Sequence, residues 1–162
     1  MAGKVNSIPA GYHTVTPYLV VKGASDALDY YKQAFGATGI NRMDAPDGRI
    51  MHAEFKIGDS IIMLSEEMGP NRSPQSLGGS PVSIFLYVED VDSVFNQAVK
   101  AGAKPDMPPQ DMFWGDRFGK LTDPFGHLWA LATHVEDVAP EEMGKRAQAA
   151  IAQMSQSAGQ AS

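Results

Sequence analysis

The chain has 162 residues, 43% hydrophobic and 20% charged, which fits one globular domain or two small halves of one. A net charge of −6 and a pI near 5.1 argue against nucleic acid as a partner, because phosphates are neutralised by basic surfaces. No apolar run approaches the roughly 18 residues of a membrane span, Met1 to Ser7 lacks a signal-peptide core, and the lack of cysteine excludes disulfides, thiolate metal sites and a Cys nucleophile. A cytoplasmic location without membrane contact is the expectation.

Residues 1–14 carry no periodic signal and read as an N-terminal arm. Val15 to Val21 is apolar and β-branched, with Pro17 near its start, which suits an edge or first strand. Ser25 is placed to cap a helix with Asp26 and Asp29 in its first turn. Ala24, Leu28, Tyr31 and Phe35 share one face of that helix, and Gly36 ends it. Ile40 to Met43 reads as a short strand and Ala45-Pro46-Asp47-Gly48 as a hairpin turn. Ile50 to Ile57 then alternates, with His52, Glu54 and Lys56 on one face and Ala53, Phe55 and Ile57 on the other. Gly58-Asp59 turns the chain into Ile61 to Leu64.

Residues 67–80 form a Gly/Pro/Ser linker, after which the programme repeats. Val82 to Val88 is a strand, and Asp90 caps a helix that turns Val91, Val94 or Phe95, Ala98 and Ala101 inward and ends at Gly102. A short strand near Lys104 and a loop holding Pro105, Pro108 and Pro109 follow. Trp114 to His134 is a hairpin around Asp123-Pro124-Phe125-Gly126, where Asp caps, Pro fixes φ and Gly permits a positive φ. Pro140 opens a last helix with acids first and Lys145-Arg146 later, and the tail from about Ser155 is expected to be disordered.

The repeat decides the architecture: Gly36-Ala37 and Gly102-Ala103 stand 66 positions apart, each after a strand and a helix and before three strands. The expectation is an α+β fold of tandem βαβββ modules, residues 15–66 and 81–134, forming a curved mixed sheet around a cavity with helices outside. Residues 135–162 add the C-terminal helix and tail.

Several segments resemble the vicinal-oxygen-chelate superfamily of glyoxalase I, bleomycin-resistance proteins and extradiol dioxygenases. They are Pro17 to Val21 with Tyr30 to Ala37, then Tyr87-Val88-Glu89-Asp90-Val91-Asp92, and Asp123-Pro124-Phe125-Gly126-His127. His52 to Gly58 and Trp114-Gly115-Asp116-Arg117 are similar to a narrower branch, small bacterial glyoxalase-like proteins once called demethylubiquinone-methyltransferase-like. The resemblance implies metal-ligand positions at Thr16, Met63, Ser83 and Ala130. Hydroxyls, a thioether and a methyl are poor ligands for a divalent ion, so no metal and no other cofactor is expected.

The reading is therefore a protein that binds or sequesters a planar or anionic organic ligand, as the bleomycin-resistance proteins do, and forms a homodimer. Candidate ligand contacts are Thr16, Tyr18, His52, Glu54, Ser83, Phe85, Tyr87, Trp114 and Arg117. Strand parity puts Tyr18, Phe85 and Tyr87 with Thr16 and Ser83, either as aromatic cavity walls or as a filled core. His52 and Glu54 share a face that is either an acid–base pair in the cavity or a solvated surface with Lys56. Trp114 and Arg117 suit stacking on and pairing with a flat anion, whereas an Asp116–Arg117 pair would only anchor the loop. Phe125 and His127 are assigned to the turn. The alternatives are a metal-dependent lyase or dioxygenase with a site rebuilt from His52, Glu54 and His127 or His134, and a structural or regulatory dimer with a vestigial pocket.

Overall fold

The computed structural model describes residues 5–159. Its first module runs β1 (Tyr18–Val21), α1 (Ala24–Phe35), β2 (Thr38–Asp44), β3 (Ile50–Ile57) and β4 (Ser60–Glu66). A linker with the short helix α2 (Pro74–Leu77) leads to β5 (Ser83–Tyr87), α3 (Val91–Lys100), β6 (Lys104–Asp111), β7 (Asp116–Thr122) and β8 (Leu128–His134). The last described element is α4 (Pro140–Gly159).

Each module makes a four-stranded mixed sheet, in the orders β1-β4-β3-β2 and β5-β8-β7-β6, so the fold is α+β with tandem βαβββ units. The repeat extends to register: Leu19 sits opposite Leu64 as Leu86 sits opposite Leu131, both in parallel pairs. Alternation places Leu19, Val21, Ala53, Phe55, Ile62 and Leu64 on the helix-covered face of one sheet and Leu121, Trp129 and Leu131 on that of the other, in one continuous core with α1 and α3. Phe35 of α1 packs on Trp129 of β8 with ring centroids 4.6 Å apart, which ties the first module's helix to the second module's central strand. The opposite faces of the two sheets are left open.

The turn at Asp123 is the main joint. Its carboxylate, 4% exposed, accepts bonds from the Phe125 and His127 backbone N–H on one oxygen (both 2.9 Å) and from the Tyr31 hydroxyl (2.7 Å) and the Trp129 indole (2.8 Å) on the other. His127 then donates from Nε2 to the outward-facing carbonyl of Val20 on the β1 edge (3.0 Å).

Four local expectations change. Helix α1 starts at Ala24, with Gly23 rather than Ser25 at its cap, because the Glu66 carboxylate reaches across from β4 to accept from the Gly23 and Ala24 N–H groups at 2.9 and 2.8 Å. The proline-rich loop is instead an edge strand, β6, whose register breaks between Pro105 and Met107 and between Met107 and Gln110, as prolines without an N–H demand. The linker holds the helix α2, begun by the Ser73 hydroxyl and Pro74. Helix α4 continues through the expected tail to Gly159, since residues 147–154 are mostly Ala, Gln, Ile and Met, which tolerate helix well. Residues 1–4 of the expected arm and 160–162 of the tail lie outside the described residues. No helix among the described residues is long and apolar enough to cross a membrane.

Candidate functional site

The open face of the first sheet follows from the alternation in β3, which turns His52 and Glu54 away from the core. His52 Nε2 lies 3.1 Å from Glu54 Oε1, and His52 Nδ1 lies 3.4 Å from the Tyr18 hydroxyl. A single tautomer satisfies both contacts, with Nε2 donating to the carboxylate and Nδ1 accepting from the phenol. Tyr12 of the arm lines the same cavity as Glu54, and its hydroxyl, ahead of His52, holds the Glu54 carboxyl below its ordinary range. Thr16, Glu54 and Met63 share a cavity of about 500 Å3 with arm residues that include Tyr12 and His13.

The open face of the second sheet is aromatic. Rings follow one another from Tyr87 to Phe85 (5.0 Å), to Phe118 (5.6 Å) and to Trp114 (5.6 Å) above the small side chains of Ala130 and Ala132. Beneath them sits the Asp116 carboxylate, only 4% exposed. It accepts from Tyr87 (3.1 Å) and the Trp114 indole (3.0 Å) on one oxygen and pairs with His134 Nδ1 (2.8 Å) on the other. Asp116 and His134 are direct partners across β7 and β8, so the register itself brings them together. Asp137 takes the other His134 nitrogen at 2.9 Å. A smaller cavity of about 220 Å3 between the modules is lined by Thr16, Pro17 and Ile62 from one and Ile84, Phe85 and Leu86 from the other.

Asp137, then Asp116, raises the pKa of His134 above its ordinary 6.5. The pairing therefore stabilises the fold below that ordinary value and is lost as pH rises through the raised one. The melting temperature of the wild type should exceed that of a His134→Gln variant at pH 6 by more than at pH 9. An equal gap at both values would exclude this role.

Of the sequence-derived candidates, Thr16, Tyr18, His52 and Glu54 gather on the first open face, and Phe85, Tyr87 and Trp114 on the second. Ser83 is exposed at the start of β5. Arg117 stands apart. Adjacent strand residues point to opposite faces, so Arg117 leaves Asp116 and Trp114 and turns to Asp92 at the start of α3 (2.5 and 2.8 Å) and Asp111 (3.1 Å). Its fork is filled by carboxylates, and neither the Asp116–Arg117 pair nor an Arg117 contact on the aromatic face forms. Tyr12, Asp116, Phe118 and His134 join the site without having been singled out as ligand contacts. For Asp116 and His134 the hairpin register was the available signal, and for Tyr12 there was none.

The positions implied for metal ligands hold Thr16, Met63, Ser83 and Ala130, and this donor set does not fit a divalent ion. The rebuilt alternative does not assemble either: His127 is spent on Val20 and His134 lies with Asp116 and Asp137 on the other module. Among the described residues, no three His, Cys, Asp or Glu side chains come together as a metal cluster.

The family model of the Glyoxalase/Bleomycin resistance protein/Dioxygenase superfamily matches residues 12–131. A Mycobacterium tuberculosis protein is 41% identical over 134 residues, which cover 80% of this chain and 79% of that one. The crystal structure of TioX from Micromonospora superposes with a TM-score of 0.61 at 28% identity, covering 76% of this chain and 99% of that one. A Bacillus cereus PhnB protein, described as a putative 3-demethylubiquinone-9 3-methyltransferase, reaches a TM-score of 0.55 at 22% identity over 75% of this chain and 99% of that one, a likeness of fold alone.

Proposed function

Because the chain belongs to the glyoxalase/bleomycin resistance protein/dioxygenase superfamily, whose scaffold carries many unrelated chemistries, we propose that it binds and sequesters a flat organic molecule without a metal. One observation carries this reading. Tyr18, Phe85 and Tyr87 are 48%, 46% and 66% exposed on strands whose other faces turn Leu19, Val21, Ile84 and Leu86 to the core. Three large aromatic side chains aligned on open sheet faces are what a planar ligand needs and what an unliganded surface has reason to avoid. Phe118 packs with Ala130 and Ala132, and Asp116 fixes the Trp114 and Tyr87 rings by their polar atoms.

The proposal includes a cytoplasmic homodimer, in which a second copy would cover the free edges of β2 and β6. A panel of bicyclic and tricyclic aromatics should contain compounds that raise the melting temperature and quench the Trp114 emission. Trp114→Phe should remove the quenching, Phe85→Ala should weaken binding about tenfold, and a chelator should change neither. A panel without binders at millimolar concentration, or binding abolished by chelation, would refute the proposal.

A further inference from the structure

The two modules repeat each other, yet their outer strand edges are closed differently. Leu19 of β1 and Leu86 of β5 hold the same place in the repeat, so Val20 corresponds to Tyr87. At β1 the outward-facing Val20 carbonyl is taken by His127 Nε2 (3.0 Å), which comes from the turn 123–127 between β7 and β8. The equivalent turn of the first module is only Gly58-Asp59, between β3 and β4. Its Asp59 carboxylate accepts from the neighbouring Ser60 hydroxyl (3.0 Å), and among the described residues the turn makes no hydrogen bond to β5. No strand pairs with the outer edge of β5 either.

On that edge the main chain itself is on offer. The Val88 N–H donates to the Ala132 carbonyl of β8 (2.8 Å). Peptide directions alternate along a strand, so Leu86 and Val88 serve β8, while Phe85 and Tyr87 turn their N–H and C=O groups outward. Among the described residues these outward groups have no hydrogen-bond partner. Beside them lies a cavity of about 900 Å3, a size that takes a small organic molecule. Phe85 and Tyr87 line it from one face of β5 and Leu86 and Val88 from the other, and the first module contributes Phe35 and the Gly58-Asp59 turn. Ser60, Phe85 and Leu86 border both this cavity and the one of about 220 Å3, so the cleft continues along the strand.

We propose that this cleft reads the edge of a flat heterocycle, whose ring N–H donates to the Phe85 carbonyl while an adjacent ring nitrogen or carbonyl accepts from the Tyr87 N–H. The inference rests on the reading of the chain as a binder of flat molecules and names the functional group that is recognised. On a strand edge, the carbonyl of one residue and the N–H of the residue two further on face the same way, as an added strand would use them. A ring with a donor and an acceptor on neighbouring atoms satisfies both in one plane. The body of the ring then lies along β5, between the aromatic side chains of one face and the aliphatic side chains of the other. Stacking gives affinity to any flat molecule. The main-chain pair gives selectivity, because a ring without these groups desolvates an N–H and a carbonyl and returns nothing to them.

Azaindole with its ring nitrogen beside the N–H (7-azaindole), indole and N-methylated 7-azaindole share one flat shape and differ in the donor–acceptor pair, so they make the test. In NMR titrations of isotopically labelled protein, 7-azaindole should shift the Tyr87 amide signal and bind about fivefold tighter than either of the other two. Tyr87→Pro deletes the N–H without touching the ladder to β8, since that N–H points away from it and proline is tolerated on an edge strand. Tyr87→Ala loses the same ring and hydroxyl but keeps the N–H. The preference for 7-azaindole should vanish in Tyr87→Pro and persist in Tyr87→Ala, with the melting temperature of each reporting whether it folds. Ser60→Phe, at an exposed position that borders the cleft, narrows it independently and should weaken 7-azaindole about tenfold. Equal affinity for the three probes, a preference that survives Tyr87→Pro, or binding that Ser60→Phe leaves unchanged would overturn the inference. Aromatic compounds that quench Trp114 while leaving the Tyr87 amide undisturbed would overturn it and leave the proposed function standing. Failure of every aromatic probe would remove both.

Discussion

Asp123→Ala should lower stability by about 3–5 kcal/mol, because it strands two buried donors at once. The Tyr31 hydroxyl and the Trp129 indole N–H both end on Asp123 Oδ2, and Tyr31 and Trp129 are fully buried, so water cannot replace the lost acceptor. Burial first, and then the Asp123 charge, keeps the Tyr31 phenol well above its ordinary range, so it remains a donor at any working pH. At about 2–4 °C per kcal/mol for a chain of this size, the melting temperature should fall by roughly 6–20 °C. Asp123→Asn is the informative comparison. Its amide oxygen can still serve the Phe125 and His127 N–H groups, but its NH2 then faces the Trp129 indole, donor against donor, while the Tyr31 hydroxyl can turn to accept. It should recover about half of the loss. A loss below about 1 kcal/mol for Asp123→Ala, measured by chemical denaturation, would mean that the joint is held by ring packing alone.

That joint also shows what could be read from the sequence. The turn, its capping Asp and its glycine were legible, because four adjacent residues determine a turn. That the same carboxylate locks α1 of the other module through Tyr31 was not, because the partner lies far along the chain. The alternation of Ile50 to Ile57 placed His52 and Glu54 on a common face correctly, since side-chain parity is a local property. Parity also told that Trp114 and Arg117 need not meet, yet the partner that claims Arg117, Asp92, is fixed only by where α3 lies on its sheet. The same limit applies to the α1 cap. Ser25 has the right side chain, but Glu66 arrives from β4 with both carboxylate oxygens and displaces it. The arm gave no signal at all, since a segment without periodicity is placed by what it lies on, here Glu54 and Ile61.

The second large effect is expected at Gly115, between Trp114 and Asp116. Its backbone has φ +99, and a Cβ there would stand 2.1 Å from the Glu136 carbonyl oxygen and 3.1 Å from Val138 Cγ2. The Gly115 carbonyl accepts from the N–H groups of Val135 (2.9 Å) and Glu136 (3.0 Å), so this residue fastens the segment that leaves β8. Glu136 in turn takes both terminal nitrogens of Arg146 at 2.8 Å and thereby holds α4. A methyl group at Gly115 must push Glu136 away, which breaks the fastening and releases the helix as well. Backbone strain alone costs about 1–2 kcal/mol at such a φ; with the lost bonds, Gly115→Ala should cost about 3–4 kcal/mol. Gly48→Ala is the control: its φ is +84, but a Cβ there meets open space, so it isolates the strain. Hydrogen exchange should then show α4 losing protection in Gly115→Ala and keeping it in Gly48→Ala. The Trp114 emission should also shift in the first variant, because its indole bond to Asp116 depends on the neighbouring backbone. If the two variants lose equal stability and α4 stays protected in both, the contact with Glu136 contributes nothing beyond strain.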